Sequence, residues 1–251
     1  MYPVLFRIGD VVISSYSVMV LLAFLVGYWL GEIELKRRGL NGNLADLLLL
    51  ACVLGGIGGG KVLFLLQNVT LSELVADPGQ YLSSGLTFYG GLIGALLLIG
   101  LVVWKKKVSY WAVTDSLAPG LILAYAVGRV GCFLVGDDYG TPSDLPWAMA
   151  FPHGAPPTME RVHPTQVYDT LLMIGLFLFL WKIRKKERPN GWLSSVVFIL
   201  LGIERFLIEF IRNTSPSFIP GLSQAQLISV GIIILGVLKL VQLRAAAKAR
   251  S

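Results

Sequence analysis

The chain has 251 residues, of which 55% are hydrophobic and only 14% charged, with a mean hydropathy of +0.72. A soluble domain carries about 25% charged residues, so the composition excludes an ordinary soluble enzyme. The formal charge of +6 does not mark a nucleic-acid binder either, because the basic residues fall in short clusters between apolar runs rather than in one patch.

Seven apolar runs are long enough to cross a bilayer, which takes about 20 residues each. The first, Val11–Leu30, is too long for a signal-peptide core and has no basic stretch before it, so it reads as a retained span. The basic trio Lys36, Arg37 and Arg38 follows. Leu47–Leu66 leads into an acidic, Pro/Gly-containing loop at 68–85. Leu86–Trp104 runs into Lys105, Lys106 and Lys107. Tyr110–Val135 is followed by a long segment, 136–163, whose prolines suggest an irregular cap. Thr165–Trp181 ends in Lys182, Arg184, Lys185, Lys186 and Arg188. Trp192–Ile211 precedes the short loop Asn213–Gly221, and Gln224–Leu243 ends with Arg244, Lys248 and Arg250.

The four basic clusters hold 14 Lys/Arg on alternate loops, against Arg7, Arg161 and Arg212 on the opposite side. The positive-inside rule then places the N-terminus outside and the C-terminus in the cytoplasm, which an odd number of spans requires. The expectation is an all-α integral membrane protein: one seven-helix membrane domain over residues 1–251, with loop 136–163 as an extracytoplasmic cap. No internal repeat stands out. Cys52 and Cys132 lie inside apolar segments and offer neither a disulfide framework nor metal-ligand spacing.

Charged and polar residues inside such spans are the functional candidates. An arginine at mid-bilayer costs about 2.5–3.5 kcal/mol on insertion scales, so an intramembrane charge is a site hypothesis by default. Arg129 sits near the end of an apolar helix beside Gly128, Gly131 and Cys132, just before the acidic turn Asp137-Asp138-Tyr139-Gly140. Such a pattern suits an anionic group. Asp137 and Asp138 lack a third acid at metal-binding spacing, and no metal or cofactor is expected. Arg205, Glu209 and Arg212 are spaced i, i+4, i+7 on one helix face, with Glu204 adjacent. They form either a self-neutralising ladder or part of the same site. His163-Pro164-Thr165-Gln166-Val167-Tyr168-Asp169 opens the fifth span, with Gln166 and Asp169 sharing a face at i, i+3. Gly55 to Gly60 reads as close helix packing, because Val62 follows Lys61 where a phosphate loop has Ser or Thr. Lys61 either snorkels or holds an anionic headgroup. Tyr89-Gly90-Gly91-Leu92-Ile93-Gly94 is either an interfacial tyrosine with packing glycines or a close backbone approach to a ligand. Tyr16 is open between aromatic belt and site.

Together these residues resemble the bacterial prolipoprotein diacylglyceryl transferases over nearly the whole length. Tyr16 looks like the tyrosine of the family's first helix, and Tyr89–Gly94 resembles its H-G-G-L-I-G motif. Gly128–Gly140 resembles the signature G-R-x-[GA]-N-F-x-N-x-E-x-x-G. His163–Tyr168 is similar to H-P-[ST]-Q-L-Y-E, and Arg205–Arg212 to R-F-x-x-E-x-x-R. This chain departs by having Tyr89 in place of the motif histidine, Cys132 and Val135 in place of two asparagines, and Asp137 in place of glutamate. Gly58 stands where members often have arginine, with Lys61 one turn on.

The resemblance implies an enzyme of the bacterial plasma membrane, with its site facing the extracytoplasmic side. It would transfer the diacylglyceryl group of phosphatidylglycerol to the lipobox cysteine of a prolipoprotein and release glycerol-1-phosphate. It implies roles for Arg129 and Arg205 at the phosphate, and for Glu209 in holding Arg205. Tyr89, His163 and an acid such as Asp137 are the candidate proton acceptors, with the headgroup phosphate itself as a further alternative. Tyr16, Lys61, Gly90, Gly91, Gly140, His163, Gln166 and Tyr168 would position the substrate. The competing expectations are an enzyme of the same scaffold with a different acceptor, and a non-catalytic lipid-binding or transport protein.

Overall fold

The computed structural model describes residues 1–249 except 10, 42, 78, 80, 82–84, 213–216, 218 and 220. Arg250 and most of the loop expected at Asn213–Gly221 lie outside the described residues, as do parts of loop 68–85. The chain forms two compact units, Met1–Gly31 with Thr114–Ser251, and Glu32–Val113.

The first unit opens with a hairpin. Strand β1 (Val4–Ile8) pairs antiparallel with β2 (Val11–Ser14), Arg7 opposite Val12. The first apolar run therefore does not begin as helix at Val11, contrary to expectation. Val11, Val12 and Ile13 are β-branched and favour extended backbone, and Gly9 takes a left-handed φ of +58° before them. Helix α1 (Ser15–Arg37) starts only at Ser15.

The remaining elements of this unit are α5 (Tyr110–Val135, of which Thr114 onward belongs here), β3 (Met149–Phe151), β4 (Thr158–Val162), α6 (Thr165–Ile183), α7 (Trp192–Ile208), a 3-10 turn (Glu209–Ile211) and α8 (Gln224–Lys248). Ala118, Ile122 and Ala126 recur every fourth residue on α5, so they share a face. That face packs on Met173 and Leu180 of α6 and on Leu193 and Val197 of α7. Asp115 pins the start of α7. Its carboxylate accepts from Gly191 N at 2.9 Å, Ser194 N at 2.7 Å and Ser194 Oγ at 2.5 Å. Helix α8 begins with a capping box in which Ser223 and Gln226 satisfy each other's backbone N–H.

The cap is more regular than its prolines suggested. β3 and β4 pair antiparallel, and Phe151 is buried and stacks on Tyr139 at 5.3 Å between ring centroids. Arg161 donates to the carbonyls of Leu145, Pro146 and Ala148 at 3.0–3.1 Å. Aromatic stacking and a multidentate arginine do here what a longer sheet would otherwise do.

The second unit contains α2 (Asn43–Asn68), α3 (Leu71–Ala76) and α4 (Phe88–Lys105). Helices α2 and α4 meet along a glycine seam, where a Cβ on Gly55, Gly59, Gly90 or Gly94 would run into the facing backbone. Small residues are what allow such close approach in a bilayer.

Among the described residues, five helices are long and apolar enough to cross a membrane: α1, α2, α5, α6 and α8. Tyr89–Lys105 is apolar but shorter. Helix α7 has 17 residues, carries Glu204 and Arg205, and tightens into the 3-10 turn at its end. Large apolar side chains stand open on several helices, Leu21 at 60%, Leu97 at 68% and Leu171 at 64% exposure. Exposed apolar surface on this scale belongs against lipid. The protein is a predominantly helical, multi-pass membrane protein with two short β-hairpins.

Candidate active site

Helix α5 carries Arg129 to within two turns of its end and stops at Gly136, whose φ of +79° is the left-handed conformation that closes a helix. Gly136 N and Asp137 N both return to Cys132 O. The acidic turn that follows is held by the first turn of α6. Thr165 Oγ1 donates to Asp138 O at 2.7 Å, and Gln166 Nε2 donates to Asp137 O. Beyond it, Gly140 lies between two other segments, bridging antiparallel to Arg212 and donating its N–H to His163 O at 2.9 Å. A Cβ at Gly140 would meet Ile211 O, His163 and Thr165, so glycine is required there by close approach.

This wiring builds a closed ring of ion pairs. Arg129 Nη1 lies 3.0 Å from Asp138 Oδ2, and Arg129 Nε 2.7 Å from Asp169 Oδ2. Arg212 closes the ring, Nη2 at 3.1 Å from Asp138 Oδ1 and Nη1 at 3.7 Å from Asp169 Oδ2. Asp169 is fully buried and the Arg129 side chain is 6% exposed, while the Asp138 side chain is 52% exposed. Arg129 Nη2 and Gln166 Oε1 are buried without a hydrogen-bond partner. Buried polar groups are normally satisfied, so these two leave a donor and an acceptor that a ligand could engage.

Arg212 therefore does not complete the one-face ladder that its spacing suggested. The helix ends at Ile208, and Arg212 has extended backbone, φ −97° and ψ 151°. That turns its side chain to the acidic turn. Arg205 and Glu209 do pair, Nη2 to Oε2 at 2.9 Å, and Ser223 Oγ donates to Glu209 Oε1 at 2.7 Å. Tyr125 and Glu204 each lie in the electrostatic field of both Arg129 and Arg205, and Glu204 faces Asp169.

The other candidates fall in three places. Tyr16, partly exposed, lies within electrostatic reach of Cys132, Asp137, Asp138 and Arg129. Tyr168 OH accepts from Trp147 Nε1 at 2.7 Å and sits 3.3 Å from His163 Nδ1, at the edge of the cap. Lys61, Tyr89, Gly90 and Gly91 belong to the second unit. There Lys61 Nζ donates to Gly85 O at 2.7 Å and Tyr81 O at 3.3 Å, Tyr89 is exposed, and Gly90 and Gly91 lie on the glycine seam.

Burial pushes the Asp137 carboxyl above the usual carboxylate range, and a hydrogen bond with Cys132 and the neighbouring arginines only partly offset this. At Asp138 burial acts the same way, but Arg212 and Arg129 outweigh it and hold the group below that range. Cys132, Asp137 and Asp138 bring a thiol and two carboxylates within 4.8 Å, yet both Asp138 oxygens are already committed to guanidinium groups.

Ser223 and Asp115 escaped the sequence reading. Ser223 was visible as the S-x-x-Q of a capping box, and Asp115 as an acid inside an apolar run. Asp138, Asp169 and Arg212 were visible by spacing, but nothing in the spacing joined them.

The fold and these contacts define a multi-pass membrane protein with a largely buried arginine–carboxylate centre, to which segment 136–163 contributes Asp138. A family model described as prolipoprotein diacylglyceryl transferase matches residues 3–242. Similar proteins named phosphatidylglycerol–prolipoprotein diacylglyceryl transferase occur in Bordetella avium, 40% identical over 84% of this chain and 81% of that protein. Others occur in Azoarcus sp., 37% identical over 99% and 96%, and in Clostridium tetani, 33% identical over 94% and 96%. The chain belongs to the prolipoprotein diacylglyceryl transferase family.

Proposed function

We propose that this chain transfers the diacylglyceryl group of phosphatidylglycerol to the lipobox cysteine thiol of prolipoproteins. The lipobox sulfur attacks the glyceryl carbon. The bond from that carbon to the phosphate oxygen breaks, and glycerol-1-phosphate leaves with the bonding electrons. Charge builds on the departing phosphate, so pre-aimed guanidinium groups in a water-poor site supply most of the acceleration. Arg129 and Arg212 take that role in the ring, and Arg205, held by Glu209, approaches from α7. The attacking species is the thiolate. Its proton passes to Asp137, whose raised proton affinity suits a base, with Tyr89 and His163 the alternatives that variants separate. Tyr16, Gln166, Gly140 and Tyr168 shape the headgroup pocket; for Lys61, Gly90 and Gly91 the substrate-positioning role rests on the family resemblance alone.

We further propose that the single membrane domain crosses the bacterial inner membrane seven times, N-terminus outside, with α4 and α7 as the two shorter spans. The uneven distribution of Lys and Arg between alternate loops supports this orientation, which puts the ring near the extracytoplasmic face.

One observation carries the functional reading. Two largely buried arginines from separate segments face the same pair of carboxylates, and one of them has a spare buried donor. The test is complementation of a strain depleted of its own diacylglyceryl transferase, with transfer assayed in vitro from labelled phosphatidylglycerol to a lipobox peptide. Growth and labelled peptide are expected; neither appearing, with the protein folded in the membrane, contradicts the reading.

A further inference from the structure

The two carboxylates of the ring differ. Asp169 is fully buried on α6, a permanent counter-ion. Asp138 touches both arginines but is 52% exposed and sits on a turn. We propose that the Asp138 carboxylate is a built-in placeholder for the oxygens of a phosphate ester, holding the Arg129–Arg212 site until an anionic headgroup displaces it.

Three observations support the exchange. The turn is fastened through main-chain carbonyls, Asp137 O to Gln166 and Asp138 O to Thr165, so the Asp138 side chain can swing to solvent while the backbone stays. Arg129 is 5% exposed, and its Nη2 has no hydrogen-bond partner. A tetrahedral phosphate offers more acceptor oxygens than a carboxylate, so it can engage Arg129 Nη1, Arg129 Nη2 and Arg212 Nη2 together. The placeholder also spares the empty site the cost of two desolvated guanidinium groups facing one carboxylate. A phosphodiester carries one negative charge, so the swap leaves the ring's balance of two cations and two anions unchanged.

This inference rests on the transferase reading for the identity of the headgroup, and its test is a binding measurement that needs no turnover. Asp138 has φ +58°, so the informative variants are Asp138→Asn and Asp138→Gly, which tolerate that conformation. Full-length protein in nanodiscs is titrated with fluorescent phosphatidylglycerol and, separately, with glycerol-1-phosphate. Both variants should bind about 2–5-fold tighter than the parent, the fold-change of losing a competing exposed ion pair. Tightening toward phosphatidylglycerol assigns the site to the lipid. Tightening toward glycerol-1-phosphate alone keeps the placeholder and assigns it to the departing group. Unchanged or weaker binding of both ligands in both variants overturns the proposal. A parent chain that shows the expected binding pattern but transfers nothing to a lipobox peptide defeats the transferase reading and leaves this one standing.

Discussion

Asp115 and Asp169 are both fully buried acids of the same helical unit, and they are used in opposite ways. Asp115 sits near the start of α5, about 21 Å of helix rise from Arg129. It is saturated by two backbone N–H groups and a hydroxyl. Asp169 sits in a ring of charges that leaves Arg129 Nη2 and Gln166 Oε1 without partners. A buried charge whose neighbours are complete is holding the fold together. A buried charge among incomplete neighbours leaves hydrogen-bonding capacity that a ligand can use.

The largest effect that sharpens this contrast is expected at Arg205→Lys. It keeps the charge but loses the planar fork that pairs with Glu209. Transfer from labelled phosphatidylglycerol should fall by roughly 100-fold or more, the range for losing one pre-aimed donor. Full activity would remove Arg205 from the site.

Asp115→Ala should do the reverse. It strands the N–H groups at the start of α7, and about 1–3 kcal/mol of stability should go with them. Thermal unfolding in detergent reads that loss, while turnover per folded molecule stays within about twofold. A collapse of turnover in the folded fraction would break the comparison.

How far the sequence could reach is clear from these two places. Membrane class, the apolar runs and the glycine seam were legible, because each depends on local composition and period. Arg129 was legible as a charge where charges are costly. The ring was not, because Arg212 reaches it only after α7 tightens into a 3-10 turn and its strand-like end pairs with Gly140. That is tertiary geometry, and the i, i+4, i+7 spacing pointed elsewhere. The hairpin at the N-terminus was hidden because Val11, Val12 and Ile13 read equally as strand or span.

Ser223→Ala removes both the α8 cap and the bond to Glu209 Oε1. About 1 kcal/mol of stability is expected to go, with a rise in KM for phosphatidylglycerol of about 3–10-fold as Arg205 loosens, a loss of one hydrogen bond to a charged group. Ser223→Thr should restore both. A Thr variant that recovers stability and not KM would limit Ser223 to capping.

The smallest effect is in pH. The Asp137 carboxyl is raised by burial, so it gains its proton above the ordinary value of about 3.9. If Asp137 is the base, it is lost as pH falls through that raised value, and kcat/KM should decline on the acid side. The linked stability runs the other way, fully present below the unfolded value and lost as pH rises through the folded one. Asp138 is lowered by its arginines. Its ion pairs are intact above the ordinary carboxylate value and are lost only as pH falls through a lower one. Asp137→Asn should abolish the acid limb of kcat/KM; a limb that persists moves the base to His163 or Tyr89.

By the proposed mechanism, Arg129 and Arg212 act on one phosphate. A double-mutant cycle of Arg129→Gln and Arg212→Gln, read as kcat/KM for phosphatidylglycerol in folded protein, tests it most directly. Each single variant should lose roughly 100-fold, and groups acting as one unit are strongly non-additive, so the double variant should be worse than the weaker single by less than about 10-fold. A double variant that loses the full product, about 10,000-fold, would show two independent sites and contradict the account.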